Sequence, residues 1–163
     1  MMKALIDTCV VVDVLQKREP FFEMSINVFV AVAQQQCIGV LTAKSVTDIY
    51  YLLRRSLHDE KKTRALLRTL FTLFAVEDTC AMDCQLAMSS LTKDYEDAIM
   101  IETAKRLRLD CIVTRNLKDY MVADIPVYAP KEFLTRLKGK IARAASLPLD
   151  AIQRLADANK QFA

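Results

Sequence analysis

Asp7, Asp48, Asp94, Asp97, Asn116 and Asp119 fall just beyond short apolar runs or at the starts of helix-patterned segments. If parallel strands carry these runs, the side chains converge on one edge of a sheet, where ligands collect in such folds. Carboxylates held together repel, and raise one another's pKa values until a cation neutralises them. Oxygen-only donors suit Mg²⁺ or Mn²⁺, hard ions that retain waters and accept phosphate oxygens. Such ions generate hydroxide from water, and a pair about 4 Å apart clamps the attacking and leaving oxygens of a phosphodiester. The sole histidine, His58, supplies no imidazole pair. Taken singly, Asp97 and Asp48 also fit helix-start positions favoured by the helix dipole, which explains their joint placement less well. Asp94 and Asp97 are spaced to share one side of a helix start.

The elements that would position these groups follow from the apolar pattern. KALI (3–6) reads as a strand ending at Asp7, and a helix is expected from Thr8 to about Gln16. REPFF (18–22) makes a turn, with Pro20 opening a second helix that runs to about Gln36. IGVLT (38–42) has the length of a buried strand, and SVTDIYYLLRR begins a helix capped by Ser45 or Thr47, with Asp48 in its first turn. KKTRALLRTLFTLF (61–74) and CAMDCQLAMSSL (80–91) are helix-patterned around a weak strand, AVE (75–77). Asp94 precedes the helix DAIMIETAKRLRL, CIVT (111–114) is a strand, NLKDY (116–120) a loop or short turn, and PVY (126–128) a last strand. KEFLTRLKGKIARAA (131–145) is helical with Gly139 as a candidate break. An amphipathic helix after Pro148 either completes the core or serves as an interaction arm. Strands alternating with helices predict an α/β three-layer sandwich, a central, mostly parallel sheet flanked by helices.

The bulk numbers agree with one folded domain: 163 residues, 53% apolar, 26% charged, with Gly 2 and Pro 4. The longest apolar runs, such as VFVAVA (28–33), are far below the roughly 18 residues of a membrane span, and no signal-peptide layout opens the chain, so a cytoplasmic location is expected. Five cysteines without a zinc-type pair are expected to act as small buried hydrophobes. Net charge is only +3, but residues 54–68 and 131–143 are locally basic. Either run suits a polyanion or, taken alone, a solvated helix face laced with ion pairs.

Together these segments resemble a PIN-domain ribonuclease, the fold shared by the VapC toxins of bacterial toxin–antitoxin pairs. LIDTCVVVD (5–13) is similar to the family's opening strand with its first metal-site aspartate, Asp7. REPFF resembles a turn of one bacterial branch, and SVTDIYYLLRR the second motif, with Asp48 in the acidic position. DYEDAIMIETAKRLRLDCIVTRN resembles the third motif with Asp97 and Asp94, and TRNLKDY the fourth, with Thr114, Asn116 and Asp119. The resemblance covers about residues 3 to 135, and a PIN-like domain over 1–135 with a helical extension over 136–163 is expected. It implies Mg²⁺- or Mn²⁺-dependent cleavage of RNA, an antitoxin partner and a homodimer. Asp7, Asp48 and Asp97 would be catalytic, with Asp7, Asp94, Asp97, Asn116 and Asp119 at the metal.

The chain departs from the family pattern at three positions. Cys9 stands where Asn is usual, which bears on hydrogen bonding at the strand end. Asp48 is one methylene shorter than the usual Glu, and Asn116 replaces an Asp, leaving that charge to Asp119. The alternative is a PIN-like module that binds RNA or protein without cutting. Thr114 either orients a ligand or caps the turn after its strand, and Asp13 either faces the site or pairs with a surface cation. Arg54, Arg55 and Arg115 are candidate RNA contacts, although surface ion pairing is the commoner role of a single Arg. A receiver domain would need an acidic pair after the first strand, a dehalogenase-like phosphatase a DxD there, and nucleotide folds a glycine-rich loop. Asp7-Thr8-Cys9 and the lone Gly39 and Gly139 fit none of them.

Overall fold

The computed structural model describes residues 1–140. Five strands, β1 (Lys3–Ile6), β2 (Ile38–Thr42), β3 (Ala75–Glu77), β4 (Cys111–Val113) and β5 (Val127–Tyr128), form one sheet in the order β3-β2-β1-β4-β5. Every neighbouring pair is parallel. The central strand β1 aligns Leu5 with Val40 on one side and with Ile112 on the other. Helices α1 (Thr8–Leu15), α2 (Phe22–Ala33), α3 (Ala43–Leu57), α4 (Glu60–Leu73), α5 (Ala81–Ala87) and α6 (Tyr95–Arg106) supply the connections from β1 through β4, and α7 (Pro130–Lys140) follows β5.

Strand alternation sorts the core into two layers, because successive side chains point to opposite faces. Ala4, Ile6, Leu41, Cys111 and Val113 pack with α1, α2, Ile49 and Leu53 of α3, Leu66 and Leu70 of α4, and Phe133 and Leu137 of α7. Leu5, Val40 and Ile112 face the other way, against Met100, Ile101 and Ala104 of α6 and Tyr120. The result is the expected three-layer sandwich. Gly39 lets β2 pass beneath the first layer. A Cβ there would lie 2.6 Å from the Phe74 ring and 2.8 Å from Val32.

Several boundaries differ from the sequence expectation. Pro20 does not open α2. It lies in the turn before Phe22, after a cis peptide bond, and α2 ends at Ala33 with a turn over 34–35. Helix α3 is capped by neither Ser45 nor Thr47. Thr42, the last residue of β2, accepts from the Ser45 amide at 3.0 Å, so the helix begins at Ala43. Asp48 therefore sits in the second turn of α3, one turn beyond Lys44. Helix α5 stops at Ala87, short of the expected reach to Leu91. The NLKDY segment is a single 3-10 turn over Leu117–Tyr120. Helix α7 continues to Lys140 with Leu137 buried, and the helix expected after Pro148 lies outside the described residues. Among the described residues no helix is long and apolar enough to cross a membrane.

Candidate functional site

The carboxyl ends of β1 and β4 lie side by side, since Ile6 pairs with Val113 and the Asp7 amide donates to the Val113 carbonyl at 3.0 Å. Asp7 leaves the strand as the N-cap of α1, accepting from the Cys9 amide at 3.3 Å. Its second oxygen accepts from the Thr114 hydroxyl at 2.6 Å and the Cys9 thiol at 3.1 Å. Burial, then the charge of Asp7, pushes the Cys9 thiol up to about 12, so it remains a protonated donor at neutral pH. Thr114 is fully buried and its hydroxyl also accepts from the Asn116 amide at 2.9 Å, so it ties the following turn to Asp7.

From across the sheet end, α6 brings Asp97. Asp94 caps that helix, its Oδ1 accepting from the amides of Glu96 at 2.8 Å and Asp97 at 3.4 Å. Asp97 Oδ1 accepts from the hydroxyl of buried Tyr120 at 2.8 Å. Burial pushes the Asp97 carboxyl up to about 6, with the Tyr120 hydrogen bond opposing and the charges of Asp7, Asp94 and Asp119 reinforcing the rise. Burial and the same two carboxylates, Asp7 and Asp97, hold the Tyr120 phenol well above its usual range.

Asp7, Asp48 and Asp97 line one cleft of about 280 Å³, together with Thr8, Lys44, Tyr51, Glu96 and Met100. Lys44 Nζ lies 2.5 Å from Asp48 Oδ2 and 3.1 Å from Glu96 Oε2, bridging α3 to α6 across the mouth. Burial alone would lower the Lys44 ammonium, but these two carboxylates outweigh it and raise its pKa.

The remaining expected site residues take other positions. Asn116 Nδ2 donates to Asp119 Oδ2 at the edge of the 3-10 turn, outside the cleft lining. Asp13 neither faces the cleft nor reaches the surface. It is fully buried, accepts from Ser25 Oγ at 3.2 Å, and pairs with Arg115 Nε at 2.6 Å. Burial raises the Asp13 carboxyl above its usual range despite the opposing Arg115 charge. The Arg115 guanidinium also lies 4.0 Å over the Phe21 ring. Arg54 pairs with Glu60 at 3.2 Å, whereas Arg55 is exposed. Lys44, Glu96 and Tyr120 escaped the sequence reading, since their roles arise from contacts between distant segments.

Among the described residues, no three His, Cys, Asp or Glu side chains converge as a ready-made metal-binding group. Mg²⁺, however, is commonly held by one or two carboxylates, its remaining positions filled by waters and substrate phosphates. An open cleft in which Asp7 and Asp97 bear mutually unfavourable charge fits that requirement.

A parallel three-layer sandwich with carboxylates at the strand ends defines the class of protein. A family model described as PIN domain matches residues 3–118, and the chain belongs to that family. No curated protein matches. Among solved structures, the chain is similar to FitAB bound to the IR36 DNA fragment, at 19% identity and TM-score 0.59, covering 78% of this chain and 94% of that one. A toxin–antitoxin complex from Klebsiella pneumoniae matches at 24% identity and TM-score 0.58, covering 78% and 97%. The VapC20 toxin of Mycobacterium tuberculosis, described as cleaving the sarcin-ricin loop, matches at 11% identity and TM-score 0.55, covering 67% and 86%.

Proposed function

We propose that the chain is a Mg²⁺- or Mn²⁺-dependent endoribonuclease and the toxin of a toxin–antitoxin pair. The observation that carries this reading is the cleft that Asp7, Asp48 and Asp97 share at the carboxyl ends of the strands. Asp7 and Asp97 would hold the ion, with Asp94 and Asp119 adding negative charge from outside its ligand set and Asn116 orienting Asp119. The ion, when bound, lowers the pKa of a water and offsets charge on the phosphodiester in the transition state. Thr114, Cys9 and Tyr120 orient the carboxylates through the hydrogen bonds described above. Asp48, held by Lys44, faces the cleft from the opposite wall and would orient water.

Membership of the PIN domain family supports the nuclease reading, and structural neighbours described as toxin–antitoxin complexes support an antitoxin partner. A homodimer and a cytoplasmic location are part of the same proposal, as is a division into a PIN domain and a C-terminal helical extension. The commitment of Asp48 to Lys44 favours one competing reading, a module that binds RNA without cutting.

Cleavage of a mixed RNA pool with Mg²⁺ or Mn²⁺, against EDTA and the Asp97→Asn variant, separates the two. Cleavage that needs both metal and Asp97 is expected. Cleavage that persists in EDTA or in Asp97→Asn protein overturns the nuclease assignment, and RNA binding without cleavage under any metal favours the module.

A further inference from the structure

The cleft is electrostatically lopsided. Among the described residues, Asp7 and Asp97 receive only neutral donors: the Cys9 amide and thiol and the Thr114 hydroxyl on Asp7, and the Tyr120 hydroxyl on Asp97. Asp48 and Glu96, lining the same cleft, instead share one ammonium, with Lys44 Nζ at 2.5 Å and 3.1 Å. The Lys44 side chain is only 22% exposed, and its two acids come from different helices. It is therefore gripped from two sides.

We infer that Lys44 is a built-in cation filling one half of the acidic cleft, so that the site takes a single divalent ion, on Asp7 and Asp97. The inference rests on the proposed metal site and adds its stoichiometry. A second ion at Asp48 and Glu96 would have to displace a tethered ammonium, whose local concentration is fixed by the helix that carries it. A lysine ammonium is a compact point charge with three donors. Two of those face carboxylates, and the third remains to meet a phosphate oxygen entering the cleft. Lys44 thus brings to the phosphate the positive charge that two-metal phosphodiesterases draw from their second ion.

The test counts Mn²⁺ ions bound per chain in the absence of RNA, by electron paramagnetic resonance of free Mn²⁺, on the full chain. Wild-type protein and Lys44→Arg are expected to bind one ion and Lys44→Met two, while Asp97→Asn loses the first. Lys44→Gln repeats the test should the Met variant fail to fold, as judged by circular dichroism. Two ions on wild-type protein, or one on folded Lys44→Met or Lys44→Gln, overturns the role of Lys44 and leaves the ribonuclease reading standing. No ion on wild-type protein overturns the metal site itself.

Discussion

The Thr114 hydroxyl donates to Asp7 Oδ2 at 2.6 Å, joining two residues 107 positions apart at the ends of adjacent strands. The Thr114 hydroxyl oxygen also accepts from the Asn116 amide, so one side chain fixes both a carboxylate and the turn beside it. Thr114→Val keeps the shape of the side chain and removes both bonds. Losing a buried polar partner costs about 1–3 kcal/mol of stability. On the proposed function, removing a group that orients a metal ligand should lower RNA cleavage about 10–100-fold. Thermal melts and single-turnover RNA cleavage would check both, and wild-type rates in the Val variant would remove Thr114 from the machinery.

Asp97 gives the metal-free protein a pH dependence of definite sign. Its folded-state pKa is raised to about 6 from 3.8, so the folded state binds the proton more tightly than the unfolded state. Stability should therefore be higher below about pH 4 as far as this group is concerned, fall between about 4 and 6, and stay lower above. Discounted for solvent screening, the cost at pH 7 is about 1 kcal/mol. In EDTA, Asp97→Asn should melt above wild-type at pH 7 and lose that part of the slope. A lower melting temperature for the variant at pH 7 would show that its carboxylate is not held at a cost.

A pair far from the cleft offers a control in which stability changes without chemistry. Asp83 is fully buried and bound through both oxygens by Arg106, at 2.8 and 3.0 Å, with Thr103 and the Cys80 amide completing its partners. Burial opposes its ionisation, yet these donors outweigh it and hold the carboxyl below its usual range. Arg106→Met strands that charge between α5 and α6, at a cost of about 3 kcal/mol. Urea unfolding should record the loss, while cleavage per folded molecule at 20 °C stays within about twofold. A larger drop in activity would mean that the α5–α6 pair transmits strain to Asp97.

Gly39→Ala should destabilise through crowding alone. The added methyl meets the Phe74 ring and Val32, both buried in the first layer, and overpacking of this kind costs about 1–3 kcal/mol. Trimming the neighbour as well, in a Gly39→Ala/Val32→Ala double variant, should recover part of the loss in a double-mutant cycle. Strict additivity would place the strain elsewhere.

Local features of the chain were the legible ones. Asp7 and Asp94 were readable because a strand end and a helix cap are properties of a few adjacent residues, and both fall where the pattern predicts. The sheet was readable for the same reason, as KALI, IGVLT and CIVT are short apolar runs between helices. The start of α3 was not. Thr42 ends a buried strand and caps the next helix with no loop between, so the polar signals at Ser45 and Thr47 pointed three and five residues too late. The Lys44–Glu96, Tyr120–Asp97 and Arg115–Asp13 pairs depend on how separate segments meet, which spacing does not encode. Arg115, read from sequence as a candidate for RNA contact, is turned inward by a carboxylate whose burial no periodicity revealed.

The strand order has a consequence in time. Strand β1 is made first, yet one of its two edges waits for β4, which arrives more than a hundred residues later. Domains begin to form during synthesis, at about 5–20 residues per second, but a parallel partner cannot be supplied early. Asp7 leaves the ribosome 107 residues ahead of Thr114, whose hydroxyl orients it, and Asp97 likewise precedes Tyr120. The nascent chain therefore carries Asp7 unassembled until β4 emerges, and the cleft closes only as the sheet is finished.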